Sequence, residues 1–243
     1  MNWPPSAFAE FFTHLAANGY VGGNITVPHK EAAFALTDRR DGDAAAIGAV
    51  NTVWYEGAKL VGGNTDAYGF LAHLDASIPE WNASAGKAVV LGAGGAARAI
   101  IHGLLGRGLD VAVANRTASR AAELGTHYGR RVTAHGLDAL AGLLGEADLL
   151  VNATSAGMAG KATLDLDLSR LKSGAIVYDI VYVPLETALL KAAKAGGHRT
   201  VDGLGMLLHQ AVPGFARWFG VTPRVTPALR ARIEADILAK SGA

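Results

Sequence analysis

The spacing of apolar residues changes along the 243-residue chain, and each spacing predicts its own kind of element. Phe8, Phe11, Phe12 and Leu15 recur at helical intervals within residues 6–18, where Ser6 is placed to cap a helix and Gly19 to stop it. Residues 24–27 alternate as a short strand, Pro28 ends it, and a short helix is expected at 31–36. Another short helix is expected at 43–48. Residues 51–55 and 59–61 flank Glu56-Gly57-Ala58, the pattern of a hairpin. A helix follows at 67–77, with Asp66 in the N-cap position. Pro79, Asn82, Ser84 and Gly86 then mark residues 78–86 as a linker.

From residue 87 onward, short apolar runs alternate with longer periodic stretches. Strands are predicted at 88–91, 110–114, 131–134, 147–151 and 175–178, and helices at 96–106, 118–128, 137–144 and 185–195. This alternation implies a parallel sheet with helices on both faces, because each parallel connection needs a crossover. Two more helices are expected, at 206–218 and, amphipathic, at 227–240. The predicted class is α/β with two domains. One is a Rossmann-type domain with a parallel sheet at 83–222. The other is a smaller α/β domain at 1–82, to which residues 223–243 return. A small-molecule site is expected in the cleft between them.

Composition narrows the partners more than the fold. Half of the residues are hydrophobic and 18% are charged, which suits a sizeable core and excludes a disordered chain. A net charge of +1 exerts no strong pull on nucleic acid or an anionic membrane. No run approaches transmembrane length, and the first residues do not read as a secretory signal. The chain has no cysteine, which rules out disulfides, thiolate zinc sites and a cysteine nucleophile, and fits a cytoplasmic protein. Metal-ligand spacing is lacking, so no metal is expected. A small molecule is the expected partner. A homodimer stays open as an expectation, since an uncovered sheet edge favours association.

The most specific chemical signal is Gly92-Ala93-Gly94-Gly95-Ala96-Ala97, a G-x-G-x-x-A pattern between a predicted strand and a predicted helix. Gly92 suits a tight turn, Gly94 lets the backbone approach a pyrophosphate, and Ala97 lets helix and strand pack closely. Amide groups at the helix start would face the phosphates. An ordinary βα turn can carry the same glycines, but the strand–turn–helix context favours a dinucleotide. After the next strand stand Asn115, Arg116 and Thr117, with Arg120 one turn further, where an NAD site would place an acidic residue. Two arginines suit the 2′-phosphate of NADP(H), the expected cofactor. A solvated first turn is the alternative, although cations are unfavourable at a helix N-terminus unless an anion is there to meet them. Residues 152–158, with Thr154 and Ser155, could pass close to the cofactor or form an ordinary loop.

Reactive groups are expected outside this domain. Lys30 follows a turn of small and polar residues, and Asp66 sits in a second Gly/Asn/Thr-rich turn. Across a cleft, the lysine could stabilise and protonate the alkoxide formed when hydride reaches a ketone. The aspartate could orient the lysine and bind a substrate hydroxyl. A surface salt bridge is the plainer alternative, and Asn24, Asn51 and Asn64 are equally compatible with ordinary turns.

Seven segments in order, NITVPHK, AVNTV, GNTDAYGF, GAGGAARA, NRTASR, NATSAGM and DGLGMLLHQA, resemble the shikimate dehydrogenase family over nearly the whole chain. The resemblance implies reversible, NADP-linked reduction of 3-dehydroshikimate to shikimate on the route to aromatic amino acids. It implies that Lys30 and Asp66 are the catalytic pair, and that Thr26, Asn51, Asp66, Tyr182 and Gln210 contact substrate. It further implies that Gly92, Ala93, Gly94, Gly95 and Ala96 form the phosphate loop, and that Asn115, Arg116, Thr117 and Arg120 select NADP. Gly203 and Met206 fall where the family meets the nicotinamide ring. Read alone, Tyr182 is equally a packing residue and Gln210 a solvent-facing one. A quinate/shikimate dehydrogenase-like paralogue is the runner-up, and a non-catalytic NADP-binding module is the competitor of another class. The chain departs from the family at its start. Family members open with a βαβ segment whose S-x-S-P turn holds the substrate carboxylate, whereas here Met1 leads into the 6–18 helix and no S-x-S-P occurs. The smaller domain is therefore expected to be truncated. An internal start site is favoured over natural loss, because every later motif is intact.

Overall fold

The structure is a computed structural model that describes residues 4–241. Its first part runs α1 (Pro5–Thr13), β1 (Gly22–Asn24), α2 (Lys30–Leu36), β2 (Arg39–Arg40), α3 (Gly42–Ile47), β3 (Thr52–Glu56), β4 (Lys59–Gly63) and α4 (Asp66–Ser77). The strands form one sheet in the order β1-β3-β4-β2, antiparallel except for the β2–β4 pair. Phe8, Phe12 and Leu15 cover it, packed with Ala33, Val50, Val53 and Leu60. α3 is capped by Asp41, whose carboxylate accepts the Ala44 amide at 2.8 Å, a contact of the kind that stabilises a helix by about 1 kcal/mol.

Four local expectations need correction. α1 begins at Pro5, so Ser6 lies inside the helix and not at its cap. Proline suits the first helical position, where its missing N–H would have no intrahelical partner. The helix ends at Thr13, well before residue 18, and continues only as turns. β1 forms at Gly22–Asn24, not at 24–27, because Thr26 to His29 closes a turn (His29 amide to Thr26 carbonyl, 2.9 Å) and leaves Val27 73% exposed. Asp66 is the first residue of α4, not its cap, and Thr65 holds the cap position.

The second part runs β5 (Lys87–Leu91), α5 (Gly95–Gly106), β6 (Asp110–Ala114), α6 (Ala118–Tyr128), β7 (Val132–His135), α7 (Leu140–Leu144), β8 (Leu149–Asn152), β9 (Ile176–Asp179), α8 (Ala188–Ala195), β10 (Arg199–Val201), α9 (Gly203–Phe219) and α10 (Pro227–Ser241). Its six strands are all parallel, in the order β10-β9-β8-β5-β6-β7. Read from β7, this is the doubly wound 3-2-1-4-5-6 order of a Rossmann-type sheet. Ala88 to Leu91 is buried without interruption, as a strand covered on both faces requires.

Ile100, Ile101 and Leu104 of α5, Leu124 of α6 and Phe70 and Leu74 of α4 cover one face. Leu140, Leu144, Leu189 and Leu190 cover the other. α4 thus leaves the first sheet and packs on the second, beside α9. The expected amphipathicity of α10 is weak. Ile237 is buried, but Leu229 and Leu238 remain exposed.

Candidate functional site

Strand order reverses between β5 and β8, and the chain ends there meet. Gly92, directly after β5, has φ +105°, and a β-carbon on it would lie 2.9 Å from Thr154 Cγ2 and 3.2 Å from the Ala153 carbonyl oxygen. The expected tight turn is therefore required twice, by backbone conformation and by space. Gly94 caps α5, and nothing lies within 4 Å of a β-carbon placed on it. An open approach to free helix-start amides is what a pyrophosphate needs.

The loop after β8 is ordered by its own side chains. Asn152 Oδ1 accepts from the Thr154 amide (3.1 Å) and hydroxyl (2.7 Å), and Thr154 Oγ1 accepts the Ala156 amide at 3.0 Å. Asn152 Nδ2 donates to buried Asp179 at 2.9 Å, and Thr187 donates to the same carboxylate at 2.7 Å. Burial pushes the Asp179 carboxyl up, against these hydrogen bonds. Ser155 is exposed at the loop's surface.

Asn115 folds back through Nδ2 onto the Thr117 carbonyl at 2.9 Å, which fixes the turn after β6. Arg116 and Arg120 lie exposed in that turn and the first turn of α6. These residues fit a dinucleotide bearing a 2′-phosphate. The glycine turn leaves room for the pyrophosphate, and the only charges carried by Asn115 to Arg120 are cationic.

Lys30 opens α2 and Asp66 opens α4, and their side chains meet at 2.5 Å with 12% and 6% exposure. The other carboxylate oxygen of Asp66 accepts from Asn51 Nδ2 at 2.8 Å, and its backbone amide donates to Asn64 Oδ1 at 3.0 Å. Asn51 also reaches Thr65 Oγ1 (3.0 Å) and Gln210 Oε1 (3.3 Å), so α9 joins the cluster. Asn24 is connected through Thr52 Oγ1 at 3.1 Å, and Thr52 donates to Asn51 Oδ1 at 2.8 Å. Buried Asn51 and Asn64 and exposed Asn24 are thus cluster members, not turn formers alone. Thr65, which sequence reading passed over, bonds both Asn51 and Gln210; its place in the NTD triplet was the available signal.

The two sites touch. A β-carbon on Gly95 would lie 3.4 Å from Lys30 Cδ, so the ammonium-bearing chain rests against the glycine turn. Thr26 is exposed and Tyr182 half-buried just beyond β9, and neither joins the hydrogen-bonded cluster among the described residues. Gly203 opens α9, which Asp202 caps by accepting the Leu204 amide at 2.9 Å. Met206, one turn on, is 7% exposed against the core of the second sheet.

Further along α4, His73 bonds the hydroxyl of Tyr178 on β9 through Nδ1 at 2.9 Å. A β-carbon on Gly205 of α9 would strike the His73 ring, so three elements converge on one imidazole. Burial pushes His73 down from the usual 6.5 to about 4 and holds Tyr178 well above the ordinary tyrosine range.

The strand order and the glycine turn define a Rossmann-type dinucleotide-binding protein with a second α/β unit set against its glycine turn. Comparison with known proteins narrows this class. Residues 1–53 match the family described as shikimate dehydrogenase substrate binding domain, 74–180 match shikimate / quinate 5-dehydrogenase, and 203–231 match shikimate 5′-dehydrogenase C-terminal domain. A shikimate dehydrogenase (NADP(+)) of Brucella canis is 57% identical over 243 aligned residues, covering 98% of this chain and 83% of the relative. A crystal structure of a shikimate dehydrogenase in complex with NADP+ has a TM-score of 0.86 at 34% identity, covering 99% of this chain and 83% of that one. The Thermus thermophilus shikimate 5-dehydrogenase in complex with NADP(H) and shikimate has a TM-score of 0.83 at 38% identity, covering 97% and 85%. The chain belongs to the shikimate dehydrogenase family.

Proposed function

We propose that the protein reversibly reduces 3-dehydroshikimate to shikimate with NADP(H), in the route to aromatic amino acids. The observation that carries this reading is the Lys30–Asp66 pair resting against the Gly95 turn. Bound NADP(H) supplies or accepts the hydride. The Lys30 ammonium stabilises negative charge on the oxygen that becomes the alcohol, and donates a proton to it from Nζ. Asp66 orients that ammonium through Oδ2, while Asn51 fixes the carboxylate through Oδ1. Thr26, Asn51, Tyr182 and Gln210 complete the grip on the polyol acid, and Asp66 takes one of its hydroxyls.

Gly92, Ala93, Gly94, Gly95 and Ala96 hold the pyrophosphate, with Thr154 and Ser155 alongside. Asn115, Arg116, Thr117 and Arg120 hold the 2′-phosphate, and Gly203 and Met206 meet the nicotinamide. Residues 1–82 with 223–243 act as the substrate unit and residues 83–222 as the cofactor unit. No helix among the described residues is long and apolar enough to cross a membrane, and the cysteine-free chain suits work in the cytoplasm.

Purified protein given shikimate and NADP+ should generate NADPH absorbance. Lys30→Ala should lower kcat/KM by about 10²–10⁴-fold, the range for loss of a general acid or an oxyanion stabiliser, in a protein that still folds but melts lower, because Asp66 loses its buried partner. Tight NADPH binding without turnover in the unaltered chain would reduce the protein to a binding module. A faster reaction with quinate would favour the paralogue.

A further inference from the structure

The cation proposed to read the 2′-phosphate already has a partner. Arg120, in the first turn of α6, places Nη2 3.7 Å from Oε1 of Glu31, and both side chains are about half exposed. Glu31 follows Lys30 in the first turn of α2, so this ion pair spans from the cofactor-selecting turn to the helix that carries the proposed proton donor. Two anions compete for one guanidinium when the 2′-phosphate arrives. The phosphate offers three strong acceptor oxygens and more charge, so it wins the fork; the carboxylate must then give up its partner and tolerate a like charge nearby.

We propose that Glu31 is a specificity-determining residue: a resident anion that holds Arg120 in the free protein and yields it to the 2′-phosphate of NADP(H). This rests on the reading of Arg120 as a 2′-phosphate ligand. Two consequences follow from the geometry. Glu31 weakens NADP(H) binding relative to an uncontested Arg120, and it leaves NAD(H), which has no 2′-phosphate, unaffected. Arrival of the phosphate also frees the first turn of α2 from α6, so the cofactor's identity is felt one residue from Lys30.

An ion pair this exposed is a weak competitor, worth a factor of about two to five in affinity. Equilibrium binding of NADPH and NADH, followed by nicotinamide fluorescence without substrate, tests this in four proteins: unaltered, Glu31→Gln, Arg120→Ala and the double variant. Glu31→Gln should tighten NADPH about two- to fivefold and leave NADH unchanged. The gain should shrink as salt is raised. It should vanish in the Arg120→Ala background, because the two changes act on one contact. If Arg120→Ala weakens NADPH while Glu31→Gln changes nothing, the resident-anion proposal is overturned and the cofactor reading stands. If Glu31→Gln shifts NADPH and NADH equally, the proposal is again overturned. If Arg120→Ala leaves NADPH binding unchanged, the cofactor reading of Arg120 fails and the proposal falls with it.

Discussion

At the scale of single residues, the site is a set of side chains whose partners decide their chemistry. Lys30 and Asp66 were legible as candidates from their turns, but a distance of 2.5 Å with both groups largely buried turns an ambiguous pair into a cluster centre. His73 was not legible at all: a histidine midway along an apolar helix carries no motif, and its partner Tyr178 is 105 positions away. Its burial makes a definite prediction. Above about pH 6.5 the imidazole is neutral in both folded and unfolded chains and adds no pH dependence. Between 6.5 and about 4 only the unfolded chain takes the proton, so stability falls as pH drops. The loss reaches roughly 3 kcal/mol by pH 4 and is constant below it. His209, also pushed down by burial, acts with the same sign. Urea denaturation at about pH 7, 5.5 and 4.5 should show this slope, and His73→Gln should flatten it while lowering stability at neutral pH. An equal slope in the variant would assign the acid loss to other groups.

At the scale of elements, periodicity located the β5-to-β9 strands and most helices because each buries a regular face. It missed β2 and β10, which are two and three residues long and too short to show alternation. It also misplaced β1, since an apolar residue such as Val27 marks a strand only if its face is covered. The turn between β5 and α5 was readable because glycine there answers to local geometry. Gly92 and Gly94 nevertheless have separable jobs. Gly92→Ala forces a side chain onto φ +105° and against Thr154, and should cost roughly 1–3 kcal/mol of stability. Gly94→Ala meets open space at φ −94°, an ordinary backbone region, so the melting temperature should barely move. Its β-carbon would instead occupy the approach to the helix-start amides, and NADPH affinity should fall by about tenfold or more, a cost of roughly 1.4 kcal/mol. Unchanged NADPH binding in Gly94→Ala would detach this turn from the pyrophosphate.

At the scale of the whole molecule, the parallel sheet follows from strand–helix alternation and so was within reach of the sequence, whereas its 3-2-1-4-5-6 order was not, because right-handed crossovers also permit other doubly wound orders. The contacts that bring the two sheets together were not. Lys30 against Gly95, Glu31 against Arg120 and Asp43 against His102 join residues some sixty to ninety positions apart, and no local period encodes such pairs. The same scale exposes a sheet edge that lies uncovered among the described residues. β1 pairs with β3 on one side, and no described strand lies on the other. Val21 and Val27, on either side of β1, are 74% and 73% exposed. Beside them lies a hollow of about 250 Å³ lined by Phe8, Phe12, Leu15, Ile25 and Val53. Unpaired strand groups next to exposed aliphatic side chains are the conditions under which one chain's edge pairs with another's. We therefore predict that these 243 residues, taken as a separate polypeptide, form a homodimer through β1 that dissociates on dilution. Light scattering after size exclusion should give a mass that rises with protein concentration. Val21→Lys, far from the Lys30–Asp66 cluster in role, should hold the protein monomeric by placing a charge at the edge, and should leave NADPH binding unchanged. A monomer at every concentration, or a dimer untouched by Val21→Lys, would show that this edge is not where two copies meet.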